Sequence, residues 1–222
     1  MSTKKKYLLK VIILGDAGQV NIYMIIFFLF HFSVGKTSLL NQYVKKQFSL
    51  QYKSTIGADF LTKEVNVDGS VVQLQLWDTA GAERFHSMGA SFYRNSECCA
   101  LVCDLTDPKS FESIESWRTE FLNQLNPKDP DTFPFVLLGN KCDKVAERKV
   151  QASKIKQYCE TKSNMPYFET SAKDNTNVES AFEEVAKLAF KRNSKEDEIF
   201  IPNRVELKAT NQQTQPKNCC PL

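Results

Sequence analysis

At 222 residues, with 42% hydrophobic content and a net charge of +3, the chain has room for one packed domain and a tail. It lacks the basic excess that a dedicated nucleic-acid binder uses to neutralise phosphates. Seven cysteines form no CxxC pair and only two histidines accompany them, which argues against zinc and for reduced, buried thiols in a cytosolic setting.

Lys4-Lys5-Lys6 before an apolar run imitates a secretion signal, but Lys10 interrupts that run and no small-residue cleavage site follows. Leu8 to Leu14 reads as a buried first strand. Gly15-Asp16-Ala17-Gly18 follows it, then a largely apolar stretch from Gln19 to Ser33, then Val34-Gly35-Lys36-Thr37-Ser38. The run Val20 to Phe32 is too short for a membrane span, which needs about 18–20 apolar residues. Ser38 to Val44 is helix-like. Asp59–Val67 and Val71–Trp77 flank Asp68-Gly69, a hairpin signal, and Val72, Leu74 and Leu76 alternate with glutamines as a half-solvated strand does.

Cys98–Cys103, Phe135–Gly139 and Tyr167–Thr170 are short apolar runs suited to central strands. Val178, Ala181, Phe182, Val185 and Ala189 mark a helix, and Thr176 with Glu179 predicts a capping box at its start. Strands alternating with helices imply an α/β fold, a mostly parallel sheet covered by helices on both faces. The composition turns polar after about Asn193. This divides the chain into a domain over 1–193, with the insert at 19–33, and a flexible tail over 194–222.

A phosphate-binding loop needs Gly-x4-Gly-Lys-Ser/Thr between a strand and a helix: glycines let N–H groups converge on phosphate oxygens, the lysine reaches the β- and γ-phosphates, and the hydroxyl binds Mg²⁺. With Gln19 to Ser33 deleted, Gly15, Asp16, Ala17, Gly18, Val34, Gly35, Lys36 and Thr37 meet that spacing. Asp78-Thr79-Ala80-Gly81 ends a predicted strand, where a carboxylate can hold the metal's water shell and the Gly81 N–H can meet the γ-phosphate. Asn140-Lys141-Cys142-Asp143 ends another. Its Asp143 can accept from guanine N1–H and the 2-amino group, a donor pair adenine lacks. Ser171-Ala172-Lys173 follows the last strand and can close over the base. Each signal alone is compatible with a solvated loop; four at strand ends, in the correct order, specify a guanine-nucleotide site. Asp143 and the lack of an evident substrate lid disfavour a P-loop kinase or ATPase.

From Lys6 to Arg192, apart from the insert, the chain resembles the small GTPases of the Rab family. KVIILGD, NQYV, QYKSTIGADFLTKEV and FPFVLLGNK are most similar to the Rab subfamily of late endosomes and lysosomes. The resemblance implies a Ras-like P-loop GTPase fold with six strands, one of them antiparallel, and a GTP/GDP switch that recruits effectors in vesicle traffic. It implies GTP/GDP and Mg²⁺ as cofactors, with Thr37, Thr55 and Asp78 at the metal. Lys36 and Gly81 become the catalytic groups and Phe48 packs on the guanine. Phe60, Trp77 and Phe92 form the aromatic triad that effectors read. Thr55 and Gly81 touch the γ-phosphate and its metal only in the GTP state, so hydrolysis releases their loops. Cys219 and Cys220, near the end of the tail, resemble double prenylation sites, and two lipid chains anchor stably where one does not. Expected partners are effectors, an exchange factor, a GTPase-activating protein and a GDI or escort protein. The protein is expected to be a monomer on the cytoplasmic face of late endosome, lysosome or vacuole membranes, with a cytosolic pool.

Two positions depart from that pattern. Ala82 stands where the family carries the glutamine that orients the attacking water, which predicts weak intrinsic hydrolysis. The insert splits a loop whose function is its geometry, and a long apolar run is prone to aggregation. One origin is a translated intron. With suitable codons at Gly18, Gln19, Val20 and Ser33, a GTAAGT-like start and an AG end bound a stretch of fifteen codons' length, and its removal restores the glycine loop. That origin needs a code reading TAA or TAG as glutamine, and a transcript retaining the stretch as its main form contradicts it. The other origin is a genuine insertion that leaves a nucleotide-poor pseudo-GTPase, a non-hydrolysing binding module. In either case the sheet is expected to survive.

Overall fold

The computed structural model describes residues 7–17, 33–51, 53–79 and 89–199, with side chains left aside at 89–90 and 195–199. Six strands are described: β1 Tyr7–Leu14, β2 Ala58–Val67, β3 Ser70–Thr79, β4 Ser96–Asp104, β5 Phe135–Asn140 and β6 Tyr167–Thr170. They form one sheet in the order β2-β3-β1-β4-β5-β6. β2 pairs antiparallel with β3 and the other neighbours pair in parallel. The hairpin turn has Asp68 at φ 50° and Gly69 at φ 79°, the left-handed pair that a two-residue turn requires.

Helices α1 Lys36–Lys45, α2 Gly89–Tyr93, α3 Pro108–Glu112, α4 Ile114–Leu125, α5 Ala152–Thr161 and α6 Val178–Ile199 cover the sheet. Successive strand residues point to opposite faces. On one face Leu9, Val11 and Ile13 pack with Leu40 and Tyr43 of α1 and with Phe182, Val185 and Ala189 of α6. Tyr43 stacks on Phe182 with ring centroids 4.4 Å apart. On the other face Ile12, Leu14, Leu101 and Cys103 pack with Phe121 of α4 and Ile155 of α5. The predicted helices on both faces are therefore present, and so is the half-solvated alternation of β3, with Val72, Leu74 and Leu76 buried. Cys98, Cys99, Cys103 and Cys159 are buried free thiols, and Cys142 is half-buried.

Two local expectations differ. The capping box does not form: α6 starts at Val178, Thr176 is drawn into a bridge with Ser171, and Glu179 pairs with Lys46 and Lys63 instead of reaching back. The two cations, on α1's end and β2, offer the carboxylate more than one backbone N–H does. At the other end α6 runs past Asn193 to Ile199. Its Lys-Glu-rich last turns carry good helix formers, so polarity there did not mark the end of the helix.

The strand order reverses beside β1. In an open α/β sheet such a point opens a crevice at the strands' carboxyl ends. The carboxyl ends of β1, β3, β5 and β6 lie there.

Candidate functional site

β1 ends at Leu14, and the backbone turns at Gly15 with φ 148°. A Cβ at Gly15 would lie 2.2 Å from the Val102 carbonyl oxygen, so only glycine fits against β4. Gly35 precedes α1 with φ 90°, and a Cβ there would lie 2.5 Å from Asn140 Nδ2. Gly15-Asp16-Ala17 and Val34-Gly35-Lys36-Thr37 face each other. The Val34 N–H donates to the Asp16 carbonyl at 3.4 Å and Lys36 Nζ donates to the Gly15 carbonyl at 2.5 Å. Ser38 sits half-buried in the first turn of α1. Gly35 N–H donates to the hydroxyl of Ser33, the insert's last residue, at 3.3 Å. Gly18 and Val20–Phe32 lie outside the described residues.

Lys36 is buried, and burial lowers its pKa to about 8, against the pull of Asp78 and Asp16. A buried ammonium beside a glycine turn and a helix N-terminus is what a polyphosphate needs.

Next to it three oxygens converge. Thr37 Oγ1 lies 2.6 Å from Asp78 Oδ2 and 2.9 Å from Thr55 Oγ1, and Thr55 Oγ1 donates to Asp78 Oδ2 at 3.2 Å. Burial raises the Asp78 pKa, partly offset by Thr37, Lys36 and Thr55. Its Oδ1 is buried with no hydrogen-bond partner. A buried carboxylate oxygen left unsatisfied among hydroxyls is costly unless something cationic completes it. An all-oxygen donor set fits Mg²⁺.

At the far end Asn140 ties three segments together. Its Nδ2 donates to the Val34 carbonyl at 2.8 Å, and its Oδ1 accepts from Ala172 N–H at 3.3 Å and Thr170 Oγ1 at 3.4 Å. Lys141, at φ 66°, pairs with buried Asp104 at 2.7 Å. Ser171 Oγ donates to Asp143 Oδ1 at 2.7 Å. Ser171 and Ala172 are buried and Lys173 is exposed. Phe48 stands 38% exposed on the loop after α1.

Phe60 stacks on Trp77 with centroids 5.6 Å apart, and Phe92 meets Trp77 edge-on at 5.1 Å. The three rings make one row, with Phe60 53% exposed at its end. The fold thus brings Gly15, Asp16, Val34 and Lys36 together, gathers Thr37, Thr55 and Asp78, ties Asn140 to Ala172 and Asp143 to Ser171, and sets Phe60, Trp77 and Phe92 in one row. Gly81, Ala82, Cys219 and Cys220 lie outside the described residues.

Three contributors escaped the sequence reading. Asp104, at the end of β4, was legible in principle as a strand-end carboxylate. Lys10 lies 4.4 Å over the Trp77 ring and donates to the carbonyls of Phe92 and Arg94. Trp117 Nε1 donates to Asp16 Oδ1 at 2.7 Å from 101 positions away, with no local sequence signal.

A model of the Ras family matches residues 26–191, a range that opens inside the insert. A protein described as Ras-related protein Rab-7a from Paramecium octaurelia is 53% identical over 99% of this chain and 100% of its own length. GTP-binding protein YPTC5 of Chlamydomonas reinhardtii is 51% identical with the same coverage of both chains. Ras-related protein Rab-7a of Dictyostelium discoideum is also 51% identical, over 99% and 100%.

Proposed function

The chain belongs to the Ras family and, within it, to the Rab GTPases, and on that premise we propose a guanine-nucleotide switch that governs traffic to late endosomes, lysosomes or vacuoles. Binding of guanine nucleotide and GTPase activity follow from the family. The observation that carries the reading in this chain is the cluster of Thr37, Thr55 and Asp78 beside Lys36.

Lys36, at the start of α1, holds the β- and γ-phosphates. Thr37 and Thr55 would hold Mg²⁺ directly and Asp78 would hold it through water. The ion, when bound, neutralises charge that develops on the phosphates. Asp143, positioned by Ser171, accepts from the guanine edge, and Phe48 and the Ser171-Ala172-Lys173 segment enclose the base. Gly81 donates its N–H to the γ-phosphate. Thr55 bridges strand β3's end and helix α1's start through Asp78 and Thr37, and a γ-phosphate with its metal would hold it there. Hydrolysis frees that loop and alters the surface next to Phe60, Trp77 and Phe92, where effectors dock.

Ala82 offers no polar atom to hold the attacking water, so intrinsic turnover is slow and a GTPase-activating protein supplies the missing group. An exchange factor reloads GTP. Prenyl groups on Cys219 and Cys220 anchor the tail to the cytoplasmic membrane face, and a GDI or escort protein covers them in a cytosolic pool.

Extracting the nucleotide from the purified full chain tests this. Bound GTP or GDP, displaced by guanine but not adenine nucleotides, is expected. A chain that carries neither, and takes up neither from excess GDP with Mg²⁺, is instead a nucleotide-poor binding module.

A further inference from the structure

We propose that Trp117 is a positioning residue for the phosphate site, and that with it the two halves of the split loop stay in register despite the insert. This rests on the guanine-nucleotide reading above and adds a residue and a tolerance to it.

Each half has its own anchors. Gly15 packs against the Val102 carbonyl and accepts from Lys36. Val34 gives its carbonyl to Asn140 Nδ2 and its N–H to the Asp16 carbonyl. Asp16 is held a second time through its side chain, because the Trp117 indole donates to its carboxylate at 2.7 Å. Trp117 itself is half-buried on α4 and packs against the second core cluster. The backbone at Asp16-Ala17 is therefore placed by α4 and by Val34, without relying on the covalent link to Gly18.

The same bond solves an electrostatic problem. Asp16 follows Gly15, whose carbonyl accepts from Lys36 at 2.5 Å, so its carboxylate belongs to the same turn as that ammonium. A free carboxylate there would compete with phosphate for that ammonium and repel the phosphate directly. A charge-assisted hydrogen bond to a rigid indole fixes the carboxylate aside and carries part of its charge.

The test uses the full chain, the chain lacking Gln19–Ser33, and Trp117→Phe in both. Both parent chains are expected to retain GDP. Trp117→Phe, which keeps a ring and removes the donor, is expected to release GDP about tenfold faster, the scale of one hydrogen bond to a charged group. GMP affinity should not change, because the β-phosphate is what Asp16 would contest. Adding Asp16→Asn to Trp117→Phe should recover most of the loss by removing that contest.

A full chain without nucleotide beside a deleted chain that binds it overturns the tolerance, while the guanine reading stands. If neither binds, both fall. GDP release at the parent rate in Trp117→Phe overturns the role of the indole, and so does equal weakening of GDP and GMP without rescue by Asp16→Asn. If Trp117→Phe does not fold, Trp77→Phe leaves Trp117 as the sole indole. Its emission should then shift when EDTA strips the nucleotide, and an unchanged spectrum overturns the proposal.

Discussion

Thr37 and Asp78, 41 positions apart in sequence, meet at 2.6 Å where the start of α1 faces the end of β3. Neither residue is placed by its neighbours in the chain. Their contact exists because β1 and β3 are adjacent and parallel, with Ile13 opposite Asp78. Thr55 completes the group from the loop before β2, so the proposed metal-binding set samples three separate segments.

From this follows a magnesium dependence. Asp78→Asn keeps the shape and removes the charge that would hold the ion's water shell. Mg²⁺ affinity in the presence of GDP is expected to fall about 10- to 100-fold, the usual cost of losing an outer-shell partner. Titrating Mg²⁺ while following mant-GDP release measures it. A midpoint unchanged from the parent would remove Asp78 from the metal site.

Lys36 gives a pH dependence with a definite sign. Its ammonium in the nucleotide-free protein titrates at about 8, because burial disfavours the charge. Phosphates favour the ammonium, so its pKa is higher in the complex. GDP affinity is therefore flat below about pH 8. It falls as pH rises through that value, by up to about tenfold per pH unit, because the free protein must take up a proton to bind. Binding isotherms from pH 6.5 to 9.5 check this. Affinity that rises across that window contradicts it, and Lys36→Met should abolish the slope.

The core makes a stability prediction. Phe182 is fully buried and stacks on Tyr43 across the interface between α6 and α1. Phe182→Ala is expected to cost about 3–5 kcal/mol, since transfer and cavity terms add. Urea denaturation of the GDP-bound protein measures it. A loss below about 1 kcal/mol would mean that α6 does not pack as described.

Much of this architecture was legible because burial writes itself into short apolar runs. β4 and β5 are buried along nearly their whole length, and their sequences are almost unbroken apolar segments. The strand-end tetrapeptides were readable for a related reason: Asn140 and Asp143 must turn out of a buried strand within four residues. What stayed illegible depends on distant partners. Glu179 looks like a capping residue until Lys46 and Lys63 arrive from α1 and β2. Trp117 looks like an ordinary core aromatic until its indole N–H is seen on Asp16. The predicted boundary at 193 falls inside α6 because charged residues suit an exposed helix as well as a tail.

Position 82 lies outside the described residues, and its prediction comes from side-chain chemistry. Ala82→Gln in the chain lacking Gln19–Ser33 is expected to raise intrinsic GTP hydrolysis by at least about tenfold, by restoring a group that orients water. Single-turnover release of phosphate measures it. An unchanged rate would show that Ala82 does not limit turnover.

The central claim is that loops after β1, β3, β5 and β6 build one site for a guanine nucleotide. Calorimetric titration of the nucleotide-free chain lacking Gln19–Ser33 with GDP and with ADP, both with Mg²⁺, tests it most directly. GDP is expected to bind at least about 100-fold more tightly, since Asp143 finds its two donors only on guanine. Equal affinity for the two nucleotides would contradict the claim.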